Sequence, residues 1–430
     1  MSQQQFSPPV LINNVRVFDG KSDGLTPPTS VTIKDRRIFS VGSRNTKEGL
    51  DGALVIEGGG RVLMPGLTDA HTHLFASGAS QASLLASATG TCHYTALLQA
   101  ENMLMRGFTA ARDMAGDVTP LRQVLDSGDF PGPRVYPSQA AISQTSGHGD
   151  FSAVYDSAPS FSCGIHARAE EIGFLRVADG RDRVLAAVRE QLKRGATQIK
   201  IMAGGGVASP YDPLDVVQYT LDELRAAVEA AEDWGTYVAA HVYNDVGIRR
   251  AIEAGIKSIE HGHLVGSEET LELMKEKGVW LSTQPFLEAD HEYANPVNAE
   301  KNKEVCEGVA RSFEWARSAG TKIAFGTDLL LEPDKAAKQS EMFTRLESDF
   351  GFTATQALRI ATSENAELFR LSGDRDPYSA APLGQITDGA WADILIVEGE
   401  PTESTALFGD PEKNLAVIIK DGRIYKNLLA

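Results

Sequence analysis

Eight short apolar runs, several of them followed by longer amphipathic stretches, fill the middle of this chain and leave few folds open. The runs end at His73, Asp113, Ala140, Met202, His241, His261, Thr283 and Thr327. Between several of them lie helical patterns, over 181–194, 221–234, 246–254 and 268–277. Thr220-Leu-Asp-Glu223 has the form of a capping box, in which hydroxyl and carboxylate each satisfy a free backbone N–H. Leu221, Leu224, Val228, Ala231 and Trp234 then recur at helical spacing and are expected to face inward. Strand–helix alternation of this kind over about three hundred residues predicts an α/β fold, a (β/α)8 TIM barrel. A doubly wound parallel sheet is the rival.

The two ends have a different rhythm. Runs over 10–17, 30–33, 37–41 and 53–56 are β-prone and separated by Gly, Asp and Asn. Runs over 392–397, 415–420 and 423–426 resemble them. The division that follows is a small β-sandwich domain made by both chain ends, residues 1–63 plus 375–430, flanking a catalytic barrel over 64–374. At 430 residues the chain is long enough for both.

Composition removes several function classes. A formal charge of −17 argues against nucleic-acid and anionic-lipid partners. No apolar run is long enough to span a membrane. The first nine residues lack a secretory pattern, so a cytoplasmic location is expected. Cys92, Cys163 and Cys306 are widely spaced and suggest neither a disulfide framework nor a cysteine metal site.

The chemistry concentrates at the strand ends. In Met64-Pro-Gly-Leu-Thr-Asp-Ala-His-Thr-His73, the two histidines are two residues apart. On a strand they share a face, so both imidazoles can reach one metal. His241, His261 and Asp328 close three other runs, where barrel active sites lie. Imidazole and carboxylate suit a borderline divalent ion such as zinc. Lys200 stands in the apolar run Thr197-Gln-Ile-Lys-Ile-Met202 and is costly to bury unpartnered. Either it forms a salt bridge with Asp328 or Glu260, or CO₂ converts its amine to a carbamate that bridges two metals.

Pro65-Gly-Leu-Thr-Asp-Ala-His-Thr-His73, the strand-end Lys200, His241, Ile259-Glu-His261 and Gly326-Thr-Asp328 resemble the metal-dependent amidohydrolase superfamily. The segment 384–397, with Ala392-Asp393-Ile-Leu-Ile-Val, is similar to the return of such chains to their small sandwich. The resemblance implies His71, His73 and Asp328 on one divalent metal, His241 and His261 on a second, and a CO₂-derived carbamate on Lys200 bridging them. It implies attack on an amide by a metal-bridged hydroxide, with Asp328 as general base and then acid.

Ala140-Ala-Ile-Ser-Gln-Thr-Ser-Gly-His148-Gly-Asp150 and Ile199-Lys-Ile-Met-Ala-Gly-Gly-Gly206 resemble a narrower branch, the ochratoxinase-like amidases and Xaa-Pro dipeptidases or carboxypeptidases. That likeness gives His148 and Tyr243 the substrate's free carboxylate. It points to a small-molecule amide with a free carboxylate, either an N-acyl amino acid or a C-terminal dipeptide bond. An amide like ochratoxin A, split to ochratoxin alpha and phenylalanine, leads the specific candidates. Phe75, Phe151, Phe286 and Leu287 are expected to wall an apolar pocket, and His263, further out on the loop, to face substrate or to support the ligands from behind. His93, His166 and His291 match no ligand position. A homo-oligomer, tetramer or octamer, is implied as well.

Two other readings use the same residues. A cyclic-amide hydrolase or deaminase of the imidazolonepropionase type would hold one metal and need no bridging lysine, which Lys200 argues against. A non-catalytic scaffold would tend to lose ligands, whereas all six are present.

Overall fold

The computed structural model describes residues 8–42, 52–158, 166–209 and 211–430. Cys163 and the start of the chain, residues 1–7, lie outside the described residues. Cys92 and Cys306 are free thiols. Among the described residues no helix is long and apolar enough to cross a membrane.

The middle of the chain builds two wholly parallel sheets. One joins Leu67–Thr72, Phe108–Asp113 and Arg134–Pro137 in that order. The other runs Leu175–Val177, Ala141–Ser143, Ile199–Met202, Val238–Asn244, Ser258–Leu264, Trp280–Thr283 and Ile323–Phe325. Apart from the edge strand Leu175–Val177, spatial order follows chain order, without the reversal a doubly wound sheet requires.

The run expected to end at Ala140 is in fact two strands. Gln139 has a left-handed backbone, φ 62°. The bend it makes lets Arg134–Pro137 pair with Phe108–Asp113, while Ala141–Ser143 pairs with Ile199–Met202.

Both open margins of the smaller sheet meet the larger one. The Asp328 N–H donates to the His71 carbonyl at 2.8 Å, and the Thr197 N–H to the Pro137 carbonyl at 2.7 Å. Ala70, Ala110 and Tyr136 from the smaller sheet share one buried cluster with Ala239, Trp280 and Ala324 from the larger. Parallel strands buried on both faces read as continuous apolar runs, which is why these segments lack alternation.

The helices follow their sequence signals. Leu221–Glu232 opens on the capping box, with Thr220 N–H donating to Glu223 at 2.8 Å. Leu224 and Ala231 are fully buried, but the helix ends before Trp234, which stays 38% exposed. The Trp234 position therefore departs from the expected inward stripe.

Strands from both chain ends share a separate mixed sheet. Val62–Pro65 is its seam, parallel to Val10–Val17 on one side and antiparallel to Ile394–Val397 on the other. Leu415–Lys420 and Arg423–Asn427 extend it antiparallel. Its apolar core includes Ile12, Val15, Leu63, Ile394 and Ile419.

Candidate metal centre

Parallel strands deliver their C-terminal ends to one face, and the residues singled out above meet there. His71 is the penultimate residue of the strand Leu67–Thr72 and His73 follows that strand. Lys200 lies in Ile199–Met202, whose Met202 is in register with His241, and Val242 is in register with His261. Asp328 follows Ile323–Phe325.

The Asp328 carboxylate is the meeting point. Its Oδ1 lies 2.9 Å from His73 Nε2 and 3.3 Å from His71 Nε2, and its Oδ2 lies 3.9 Å from His261 Nδ1. His71, His261 and Asp328 can bring ligand atoms within 4.8 Å of one another, a grouping that takes one histidine from each expected pair. His241 stacks edge-on to His261 at 4.3 Å, with its Nε2 3.1 Å from the Gly205 carbonyl. Two of these residues hold left-handed backbones, His261 at φ 76° and Asp328 at φ 51°. Non-glycine residues seldom adopt that region, and when they do it is often at functional sites.

Electrostatics keep the cluster in a ligating state. Burial lowers His73 to about 4, against the pull of Asp328. Burial, reinforced by neighbouring rings, holds His241 and His261 well below the ordinary range. Neutral imidazoles have free lone pairs. Burial raises Asp328, but His71 and His73 outweigh it and hold the carboxyl well below its usual value.

Lys200 is 1% exposed and forms no ion pair among the described residues, so the salt bridge to Asp328 or Glu260 is absent. Its Nζ has one hydrogen-bond contact, His71 Nε2 at 3.4 Å. Burial lowers its pKa to about 8, although Glu260 and Asp328 pull upward. A desolvated amine beside four imidazoles and one carboxylate is poorly satisfied by protein alone. This donor set fits divalent ions of the zinc type.

Residues behind the ligands orient the rings, and of these only Glu260 was named from the sequence, as a partner for Lys200 rather than for His71. Glu260 accepts from His71 Nδ1 at 2.8 Å, which leaves Nε2 facing the cluster. The same carboxylate accepts from Arg112 at 2.7 Å and from Ser258 at 2.5 Å. Arg112 is wholly buried and also reaches the Ala70 carbonyl, Tyr237 and Ser282. Gln284 donates to the Ser282 carbonyl at 2.9 Å, so its own oxygen accepts from His261 Nδ1 at 2.7 Å.

Above the cluster opens a cavity of about 540 Å³. His148 and Tyr243 line it. His148 stacks on His241 at 4.3 Å, and Tyr243 lies 5.0 Å from the His261 ring. Phe151 and Phe286 contribute apolar wall, joined by Phe174, Tyr293 and Val305.

Phe75 and Leu287 depart from expectation, and of the two places open to His263 the structure gives the supporting one. His263 does not face substrate but is fully buried behind Tyr243 and Phe286, with Nε2 on the Gln284 carbonyl at 3.2 Å. Its strand runs on to Leu264, so the side chain is held in the wall rather than on a loop. Phe75 packs against Phe174 and His93 in the core, and Leu287 likewise does not line the cavity. His291 does line it, bonded to Glu332 at 2.6 Å.

The chain matches a family described as the amidohydrolase family over residues 62–425. It is 34% identical to an ochratoxinase of Aspergillus niger over 379 residues, covering 85% of this chain and 76% of that protein. A crystal structure of an amidohydrolase superposes with TM-score 0.88 at 34% identity, covering 98% of this chain and 100% of that one. A prolidase complexed with N-methylphosphonate-L-proline superposes with TM-score 0.86 at 35% identity, covering 97% and 100%.

Proposed function

The chain belongs to the amidohydrolase family and hydrolyses amide bonds, and from that premise we propose a two-metal enzyme acting on amides beside a free carboxylate. N-acyl amino acids and C-terminal dipeptides are its substrate class, with ochratoxin A among the specific candidates. The observation that carries this reading is the convergence of Asp328, His71, His73, His261 and Lys200 on the floor of one cavity, with His148 and Tyr243 on its wall.

Each residue has a task in that scheme. His71, His73, His241, His261, Asp328 and a carbamylated Lys200 hold two divalent ions, probed first with zinc. When bound, such ions supply Lewis acidity, acidifying a water and polarising the scissile carbonyl. Asp328, kept ionised by its histidines, takes the proton from the attacking water and passes it to the leaving nitrogen. Lys200, with its pKa brought down to about 8, presents enough neutral amine near pH 7 for CO₂ to trap. His148 and Tyr243 donate to the substrate carboxylate, and Phe151, Phe174 and Phe286 receive apolar groups. His263 serves behind the wall, supporting Tyr243.

The same reading closes the two parallel sheets into a (β/α)8 barrel, residues 64–374, beside a sandwich of residues 1–63 plus 375–430. The cross-sheet hydrogen bonds and shared core support it. It takes the protein as a cytoplasmic homo-oligomer, tetramer or octamer, without nucleic-acid or membrane partners.

A hydrolysis screen of N-acyl amino acids, C-terminal dipeptides and ochratoxin A, with Zn²⁺ and bicarbonate, tests the reading. Amine release from at least one is expected, and release from none overturns it. Metal analysis is expected to find two ions per chain, falling to one in Lys200→Ala. One ion with an unmodified Lys200 would favour the mononuclear cyclic-amide hydrolase or deaminase. A metal-loaded but inert protein would favour the scaffold.

A further inference from the structure

Lys301 uses a buried cation in an uncommon way. It is 8% exposed and makes no ion pair among the described residues. Its ammonium instead donates to three carbonyls, those of Gly206, Ser209 and Asp212, at 3.0, 2.9 and 2.8 Å. Asn298, one turn earlier on the helix Pro296–Ala319, donates to the Ala208 carbonyl at 3.0 Å. One helix thus clasps the backbone of the loop that follows the Lys200 strand.

The loop brings Asp212 under His148. Asp212 is 1% exposed, and its Oδ2 accepts from the Gly206 N–H at 2.8 Å. The same oxygen lies 3.2 Å from His148 Nδ1, with Ser209 Oγ 2.8 Å from that nitrogen. A carboxylate only accepts, so the contact with Asp212 uses an Nδ1–H and turns Nε2 toward the cavity, where it donates to a carboxylate when the ring carries both protons. The other fixings agree. The His148 N–H donates to Gln218 at 3.1 Å, and its ring lies flat on His241. A side chain at Gly206 would place its first carbon 2.0 Å from His148 Nδ1, so glycine is required where the ring rests.

We propose that Asp212 is a positioning residue for the carboxylate end of the substrate, acting through His148, with Lys301 fixing the loop that carries it. This rests on the reading of His148 given above. Asp212 selects which ring nitrogen faces the substrate and holds the ring against rotation. Lys301 and Asn298 hold the loop so that the selection is made before substrate arrives.

The test uses the metal-loaded full chain with N-benzoyl-L-phenylalanine and its C-terminal carboxamide. Asp212→Asn is expected to raise KM for the free acid about tenfold, the loss of one charged hydrogen bond. Its kcat, and both constants for the carboxamide, are expected to stay within about twofold. In His148→Ala/Asp212→Asn the effect is expected to equal that of His148→Ala alone, because the two act as one unit. Equal losses on acid and carboxamide, or losses that add in the double variant, would overturn the positioning role. His148→Ala that does not distinguish acid from carboxamide, or no turnover of either compound, would overturn the carboxylate reading and the proposal with it. If Asp212→Asn lowers the melting temperature, Ser209→Ala and Lys301→Met carry the same comparison, with smaller acid-selective rises expected and none overturning the proposal.

Discussion

Arg112 and Arg134 sit on neighbouring parallel strands, each wholly buried and each bound to a carboxylate, yet they serve opposite ends of the molecule. Arg112 is one residue from the end of Phe108–Asp113. Through Glu260 its influence passes to His71 and so to the candidate metal centre. Arg134 is the first residue of Arg134–Pro137. It binds Asp393 at 2.7 Å and Asp421 at 2.7 Å, and its guanidinium lies 4.0 Å from the Trp391 ring. Its partners all belong to the segment that returns to the terminal sheet. The same chemistry orients the His71 ring at the C-terminal end of the strands and ties the parallel sheet to the segment of the terminal sheet at the N-terminal end.

Substitutions can break or sharpen this contrast. The largest effect is expected at the centre itself. Asp328→Asn should lower kcat by about 10²–10⁴-fold while metal content changes little, as steady-state kinetics and metal analysis would read. Glu260→Gln comes next, and it should strike both properties. It should weaken metal affinity about 10–100-fold. By leaving Arg112 buried without its counter-charge, it should also cost about 3–5 kcal/mol in denaturant unfolding. Asp393→Asn should lose stability of the same order, about 3 kcal/mol, with kcat per folded molecule unchanged. A fall in that kcat would erase the distinction between the two ends.

A smaller effect separates the ends by pH. Burial lowers His73 and His263 to about 4, so the unfolded chain binds their protons first as pH falls from 6.5. The unfolded state then holds more protons, and stability of the metal-free protein should decline between about pH 6.5 and 4. His263→Phe should flatten that decline in urea titrations while leaving every candidate ligand in the chain. The smallest change is expected at Arg181, whose partners Asp222 and Glu229 are solvent-exposed. Arg181→Ala should leave the melting temperature unmoved.

The contrast also explains what was legible in the sequence. Strand ends announced themselves because an apolar run that stops at His or Asp is chemically abrupt. His71, His73, His241, His261 and Asp328 could be named that way, whereas Lys200 stands inside its run and is named by the resemblance. The capping box at Thr220 was legible for a similar reason, since it is local. Glu260 stood in a motif, but its partner Arg112 lies 148 residues away, and no spacing rule joins them. His291, Tyr293 and Phe174 line the cavity from irregular segments, where no periodicity marks an inward side chain. His263 was harder to place because it was expected on a loop beyond the strand, whereas the strand runs on to Leu264 and carries it into the wall.

The left-handed backbone of the candidate metal centre has a consequence for anyone engineering the protein. At His261 and Asp328 an ordinary side chain is held where glycine or asparagine would rest more easily, at a cost of order 1–3 kcal/mol each. Glycine or asparagine there would relieve the backbone and, on the function proposed above, remove the chemistry as well. A library selected for heat resistance alone should therefore drift toward inert proteins, enriched in substitutions at these two positions. If His261 and Asp328 carry the proposed reaction, directed evolution of this fold needs a turnover readout in every round, because robustness and reactivity then pull on the same two residues in opposite directions.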